Sequence, residues 1–201
     1  SKAIAYAMAV LETNASMGLI VAAPTAGSSG VIPGTVLSIC ESYGLKESAI
    51  YDGLLNAGAI GWLIMRNASV SGAEAGCQAE VGAASAMAAS AAVELLGGSP
   101  EQSLTAAAIA LSNLLGLVCD PIAGLVESPC QSRNVIGVSN AFSSAQLALS
   151  GVRFSIPFDE MTDAMYKVGK TLPPELRETA LGGCAATPSG CALCDKCISS
   201  K

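Results

Sequence analysis

The sequence has no histidine among its 201 residues, and only 4% of its residues are aromatic and 13% charged. Without histidine, this chain cannot by itself form a Ser-His-Asp triad, a Cys-His dyad or the common zinc hydrolase sites. Its 10 lysine and arginine residues are outnumbered by 16 acidic residues, which gives a net charge of −6. A chain of this charge lacks the basic surface that nucleic-acid binding requires, so nucleic acid is not an expected partner.

Small and apolar residues dominate what remains, with 21 glycines and a hydrophobic fraction of 51%. The length fits one domain, and small side chains allow helices to pack closely. We therefore predict an all-α fold, a single compact domain of closely packed alanine- and glycine-rich helices with functional loops at the helix ends. Residues 1–182 form this predicted helical domain, and residues 183–201 form a cysteine-rich C-terminal tail.

Hydrophobic periodicity and helix-end signals predict where the helices lie. The clearest start is at Ser99, a capping residue followed by Pro100 and, at the third helical position, by Gln102. The run 18–23 fits either a strand or a buried helix, and the run 152–156 fits a short extended piece. The predicted helices span residues 1–12, 33–43, 47–65, 77–96, 100–118, 131–150, 158–169 and 173–181.

Two long uncharged runs and a mean hydropathy of +0.52 raise the alternative of membrane helices. The run 102–119 is close to the shortest length that spans a bilayer. Hydroxyl and amide side chains interrupt both this run and the run 134–152, so buried core helices and no membrane contact are favoured. The N-terminus lacks signal-peptide architecture and looks like the inside of a helix, which is typical of a fragment or a processed chain and of a cytoplasmic location.

The eight cysteines are the unusual feature of the composition. Secreted disulfide scaffolds are usually shorter and rich in loops, so metal binding by thiolates is the better interpretation here. Cys77, Cys119 and Cys130 each lie in or beside a turn or at a predicted helix start. Three thiolates from three separate loops can hold a metal cluster and leave one metal corner open for a Lewis-acid role. The alternative is three buried free cysteines, a frequent environment for this residue.

A loop of small residues, 24–34, has the sequence PTAGSSGVIPG and precedes a predicted helix. Its hydroxyls and its closely approachable backbone are compatible with an anion site, such as one for a carboxylate, at Thr25, Ser28, Ser29 and Gly30. The loop lacks the lysine of a phosphate-binding P-loop. A tight turn between helices is the alternative interpretation.

Charged side chains near the cysteines are the candidates for proton transfer and carboxylate binding. Glu80 and Glu127 can act as a base if a dry environment raises their pKa values, and Arg133 can pair with a carboxylate or balance negative charge. The sequence does not choose among these three residues. The alternative is that they only support the structure around the cysteines.

The tail carries Cys184, Cys191, Cys194 and Cys197, the last three spaced as in part of a ferredoxin motif. Four thiolates could form a second metal site. The alternative is a terminal segment without metal that is prone to oxidation.

Three motifs, PTAGSSGVIPG, SGAEAGCQAEVG and CDPIAGLVESPCQSRN, together resemble the α chain of iron–sulfur-dependent L-serine dehydratase, over essentially the whole chain. The resemblance implies a [4Fe–4S] cluster on Cys77, Cys119 and Cys130, with the serine hydroxyl on the open iron. It implies deamination of L-serine to pyruvate and ammonia without pyridoxal phosphate, so that 1–182 would be a cluster-binding catalytic domain. It also implies a β chain or β domain as partner and an oligomeric enzyme. In single-chain relatives the C-terminal cysteine folds back onto the open iron, and Cys197 is nearest to that position here.

Two other functions stay open on the sequence alone. A related cluster lyase would act on cysteine or another small amino acid. A non-catalytic metal or redox protein would use its thiolates, above all those of the tail, only to hold metal or electrons.

Overall fold

The helix at the centre of the fold, α5 (Ala83–Leu95), is built almost entirely from small side chains, and residues 83–93 are all buried. Such side chains let neighbouring helices approach closely, and α5 packs against α2, α3, α6 and α7. The computed structural model describes residues 2–194, within which the other helices are α1 (Lys2–Ala15), α2 (Val31–Tyr43), α3 (Ser48–Asn67), α4 (Gly72–Ala75), α6 (Pro100–Asn113), α7 (Cys130–Leu149), α8 (Phe158–Thr171) and α9 (Pro188–Ala192).

Short helical pieces connect these elements where the chain bends. A π-helical turn, Gln78–Gly82, leads directly into α5. Turns of 3-10 helix lie at Ala26–Ser28, Ile122–Gly124, Pro174–Leu176 and Gly183–Ala186. Within residues 2–194 the only β-type pairing recorded is an isolated parallel bridge between Cys119 and Arg177, so the predicted all-α class is confirmed.

The helix start predicted at Ser99 is confirmed in detail. Ser99 Oγ accepts a hydrogen bond from the Gln102 N–H at 3.3 Å, and Gln102 Oε1 accepts one from the Ser99 N–H at 2.9 Å. The two bonds satisfy backbone groups that the first turn of a helix leaves unpaired.

Three local predictions are wrong, and for the first two the reason is a bond to a distant segment. The helix from residue 100 ends at Asn113, because the following turn places the Gly116 N–H on Gln78 Oε1, 2.8 Å away. Residues 173–181 form only a short turn, because their backbone bonds to Cys119 instead of closing a helix. The run 18–23 is irregular and its apolar side chains, such as Leu19 at 96% exposure, lie at the surface.

The run 152–156, expected as a short extended piece, belongs to neither a helix nor a strand. The membrane alternative finds no support, since no helix within residues 2–194 is both long enough and apolar enough to cross a bilayer.

Candidate metal centre and active-site cavity

A cavity of about 320 Å³ opens where the π-helical turn meets the loops before α2 and α7. Cys119, Cys130 and Glu80 border it, together with the small residues of the loop 25–27. Glu178 also borders it and, like the nearby Ala123, has a positive φ, 63° and 55° respectively. Non-glycine residues are rarely held in this conformation outside constrained functional loops.

Three distant segments bring the predicted cysteines to this region. Cys77 lies at the start of the π-helical turn and follows Gly76, whose φ of +77° favours glycine. The backbone of Cys119 is held on both sides, since its N–H donates to Leu176 O at 2.9 Å and its carbonyl accepts from the Glu178 N–H at 2.7 Å. Cys130 is the first residue of α7, and all three cysteines are buried.

Two of the sulfurs and one carboxylate form a compact group. The ligand atoms of Cys77, Glu80 and Cys119 all lie within 4.8 Å of one another. The Cys119 thiol donates to Glu80 Oε2 over 3.5 Å. Cys130 borders the same cavity but is not part of this tight group. A buried set of two thiols and one carboxylate can hold a metal.

The charges of this group are strongly coupled to their surroundings. The interaction between the Cys77 and Cys119 sulfurs lowers the pKa of Cys77, while the same interaction and then burial raise the pKa of Cys119. Burial, reinforced by the negative charge of Cys77 and Glu80, raises the pKa of Cys130 to about 12. Burial also raises the pKa of Glu80 above its ordinary value. The site therefore concentrates acidic groups that a bound cation would help to ionise.

Arg133 supplies the positive charge beside the cysteines. Its Nη1 donates to Val118 O at 2.9 Å and lies 2.7 Å from Asp120 Oδ1 in an ion pair. The contact with Asp120 Oδ1 is close but not aligned as a hydrogen bond, so it is an ion pair. Burial alone would raise the pKa of Asp120, but the Cys184 N–H and Arg133 outweigh it and lower that pKa. The pair fixes the segment on both sides of Cys119 to helix α7.

The predicted anion loop is tied to α7 by a buried amide. Asn134 Oδ1 accepts from the Gly30 N–H at 3.1 Å, and Asn134 Nδ2 donates to Gly27 O at 2.7 Å and to Cys130 O at 2.8 Å. Asn134 is fully buried, so these bonds replace hydration that the groups cannot recover. The same side chain thus positions both the loop and the helix start that carries Cys130.

The four loop residues predicted to bind substrate take different positions. Thr25 borders the cavity, and its hydroxyl lies 3.2 Å from that of Ser28. Ser28 and Ser29 are buried, and their hydroxyls bond to carbonyls of the loop itself. Gly30 packs against α1, where an added Cβ would lie 2.8 Å from Leu11 Cδ2.

The three charged residues suggested for proton transfer and carboxylate binding also lie in different places. Glu80 borders the cavity, whereas Glu127 is exposed and faces a second groove on the other side of Pro129. Arg133 is held by Asp120 beside the cysteines. Sequence reasoning did not identify Asp120 or Glu178 as part of the site. The position of Asp120 next to Cys119 was a usable signal, but no pattern in the sequence marks Glu178.

The described part of the tail lies against the same region. The Cys184 N–H donates to Asp120 Oδ2 at 2.6 Å, and Cys191 Sγ contacts Ala185 O at 3.6 Å. Cys197 lies outside the described residues, so the second metal site suggested for the tail stays a prediction.

Replacement of Gly72 by alanine is expected to perturb the site while leaving the fold intact. An added Cβ at Gly72 would lie 2.9 Å from Cys119 Sγ and would press on the Glu80 carboxylate. We expect Gly72→Ala to lose metal affinity, because an overpacked site displaces the groups that line it. Gly82→Ala is the matched control, since its Cβ would make only ordinary contacts, the nearest being Leu114 Cβ at 3.7 Å. Metal content and circular dichroism of the two variants check this, and equal metal retention would contradict it.

Comparison with known proteins gives a consistent set of relatives. Residues 1–185 match the family model described as serine dehydratase alpha chain. The chain is 56% identical over 188 residues to a probable L-serine dehydratase alpha chain of Bacillus subtilis, a match that covers 94% of this chain and 63% of that protein. It is 55% identical over 190 residues to the L-serine dehydratase alpha chain of Peptoniphilus asaccharolyticus, covering 94% and 65%. A probable alpha chain of Latilactobacillus sakei is 54% identical over 192 residues, covering 96% and 92%. The chain thus spans a little less than two thirds of the first two relatives.

Proposed function

Because this chain belongs to the serine dehydratase alpha-chain family, we propose that it carries the reacting site of an enzyme that deaminates L-serine to pyruvate and ammonia. The observation that best supports this is the meeting of Cys119, Cys130 and Glu80 at one cavity, with Cys77 against Cys119. A protein that only stored metal would not need such a cavity beside its thiols.

The proposed cofactor is a [4Fe–4S] cluster held by Cys77, Cys119 and Cys130. The donor set fits, since thiols are the usual ligands of such clusters and all three cysteines are buried around one region. When bound with three protein ligands, the cluster supplies a Lewis acid at its remaining iron. The positive charge of Arg133 offsets part of the negative charge that three thiolates bring into this buried site.

The proposed substrate position is the cavity itself. Thr25 presents a hydroxyl there, and Ala26 and Gly27 leave room for a small amino acid to approach the backbone. No lysine is among the described residues that line this cavity, although a pyridoxal phosphate enzyme needs one for its Schiff base. The reaction we propose here uses no pyridoxal phosphate.

Glu80 is the proposed acceptor of the proton on the serine α-carbon. Its carboxylate borders the cavity between Cys119 and Thr25, whereas Glu127 faces another groove and Arg133 is paired with Asp120. Loss of that proton and of the β-hydroxide gives aminoacrylate, which takes up water to yield pyruvate and ammonia. The proposed partner is a β chain or a fused β domain of the same enzyme, which the name alpha chain of the relatives supports.

The proposed activity is tested on enzyme prepared without air and combined with its β chain. We expect pyruvate release from L-serine and a much lower rate from L-cysteine. Faster release from cysteine would assign the chain to a related lyase. Full iron and sulfide content with no turnover of either amino acid would contradict a catalytic role and indicate a non-catalytic metal protein.

Glu80→Gln is expected to lower kcat by about 10²-fold or more, because a positioned general base contributes a factor of this order. Glutamine keeps the shape of the side chain, so iron content, the cluster absorption spectrum and KM should change little. Glu127→Gln is the matched control and should retain full activity, since Glu127 lies outside the cavity. If Glu80→Gln loses iron together with activity, Glu80 is a metal ligand and the proton-transfer role is wrong.

A further inference from the structure

Helix α3 has an apolar face that points away from the rest of the protein. Its buried residues, such as Ala57, Ile60 and Ile64, pack inward. On the opposite side, large side chains are between 45% and 73% exposed. At 100° per residue the outward positions fall within an arc about 100° wide that follows the helix for most of its length. These positions are Tyr51, Leu54, Leu55, Gly58, Trp62 and Met65.

Gly58 lies at the centre of this face, and no packing contact within residues 2–194 requires a glycine there. An added Cβ there would meet nothing within 4 Å. The inward glycines differ, since a Cβ on Gly53 would lie 3.2 Å from Leu95 and one on Gly61 would clash with Met87. Glycine in the middle of a helix is less stable than alanine, so Gly58 leaves a notch that nothing within residues 2–194 fills.

We propose that a second copy of this chain packs on this face, with the two α3 helices antiparallel and crossing at Gly58. The face is symmetric about that residue. Leu54 and Trp62 are each four positions from Gly58, and Tyr51 and Met65 are each seven positions from it. A two-fold axis through Gly58 therefore places Leu54 opposite Trp62 of the partner subunit and Tyr51 opposite Met65 of the partner subunit. Such self-complementarity is what a symmetric dimer interface requires.

The charges beside the face are compatible with this arrangement, although they are not equally spaced from Gly58. Asp52 and Arg66 both flank it on one side, Asp52 before Gly58 and Arg66 after it. The antiparallel arrangement brings Asp52 next to Arg66 of the partner subunit. Arg66 already lies over the Trp62 ring, 5.1 Å from its centroid, which holds it at the edge of the proposed interface. This opposite-charge pairing favours a second copy over an unrelated partner.

The exposed apolar area of α3 alone is somewhat smaller than one side of a standard interface. The five large exposed side chains present roughly 600 Å², against the about 800 Å² that each partner of a standard interface buries. Leu54 also borders an apolar groove with Leu19 and Val21, which are 96% and 81% exposed, so the apolar surface continues beyond α3.

Sedimentation equilibrium of the full chain tests the proposal. We expect a species of twice the 20.0 kDa chain mass. Trp62→Arg should raise the dimer Kd by about 30-fold or more, as loss of a central aromatic contact does at other interfaces. Leu147→Arg is the control, because Leu147 is similarly exposed, at 42%, but lies on α7. A monomeric wild type, or a dimer insensitive to Trp62→Arg, overturns the proposal.

Charge reversal distinguishes the antiparallel arrangement from any other. Asp52→Arg and Arg66→Asp should each weaken the dimer, and the double variant should restore most of the wild-type Kd because both pairs are then re-formed with reversed sign. A double variant that is weaker than either single one would overturn this arrangement. The measurement needs neither iron nor substrate, so its outcome is independent of the proposed lyase function.

Discussion

Replacement of Cys77, Cys119 or Cys130 by serine is expected to abolish lyase activity and to remove most bound iron, while the helices stay folded. Serine matches the size of cysteine, but its hydroxyl does not ionise near neutral pH and is a poor ligand for iron. Each loss would leave only two thiolates for a cluster that the proposal assigns to three. Iron and sulfide content, the anaerobic absorption spectrum and pyruvate release check the result, and circular dichroism checks the fold.

Cys40→Ser is the control that this chain offers. Cys40 is buried at 5% exposure in α2, as the three site cysteines are in their own segments, but it packs in the hydrophobic core. A loss of iron in Cys40→Ser equal to that in Cys77→Ser would show only that burying a hydroxyl disturbs the protein. Full anaerobic activity in Cys77→Ser would instead refute the ligand assignment.

Replacement of Asn134 by alanine is expected to reduce the free energy of unfolding by about 3 kcal/mol, because it leaves the Gly30 N–H and the Gly27 carbonyl without their side-chain partner. For a protein of this size that corresponds to a fall in Tm of about 10 °C. The site should loosen as well, since Asn134 joins the loop at Gly27 to the start of α7 at Cys130. Metal content should therefore fall before the protein unfolds.

Asn134→Asp separates the hydrogen bonds from the packing. Aspartate keeps the acceptor for the Gly30 N–H but cannot donate to Gly27 O or Cys130 O. The Asn134→Asp variant should therefore lose at least as much unfolding free energy as Asn134→Ala. Asn67→Ala is the control, because Asn67 is exposed and bonds only to Leu63 O of its own helix. The Tm of each of the three variants, measured by thermal unfolding, tests this. Equal Tm values for Asn134→Ala and Asn67→Ala would contradict the role given to Asn134.

The helices were largely predictable because their signals are local. The cap at Ser99 acts on residues three positions away, and the start of α8 at Phe158 follows directly from the proline before it. The wrong predictions lie where distant segments take over these backbone bonds. The sequence pattern predicts a helix over residues 174–178. Two of their backbone groups, the Leu176 carbonyl and the Glu178 N–H, pair with Cys119 instead. A pattern of neighbouring residues carries no information about a partner more than fifty positions away.

The functional site likewise combines features set by local sequence with features set by distant segments. Its thiols stood out in the sequence because cysteine has few other uses in an alanine-rich helical chain without histidine. Their role as cluster ligands stays a proposal, as do the substrate roles of Ser28, Ser29 and Gly30. The choice of Glu80 over Glu127 required the cavity itself, because each acid lies three positions from a candidate cysteine in the sequence.

The sequence by itself determined the fold class, most helix positions and the family of this protein, since composition, periodicity and motif are properties of the chain. Only the tertiary structure decided which hydroxyl faces the cavity, which acid borders it and how Asp120, Arg133 and Asn134 fix the cysteine-bearing segments. The physical reason is that a side chain's availability depends on whether its hydrogen bonds are already taken, and segments remote in sequence take them.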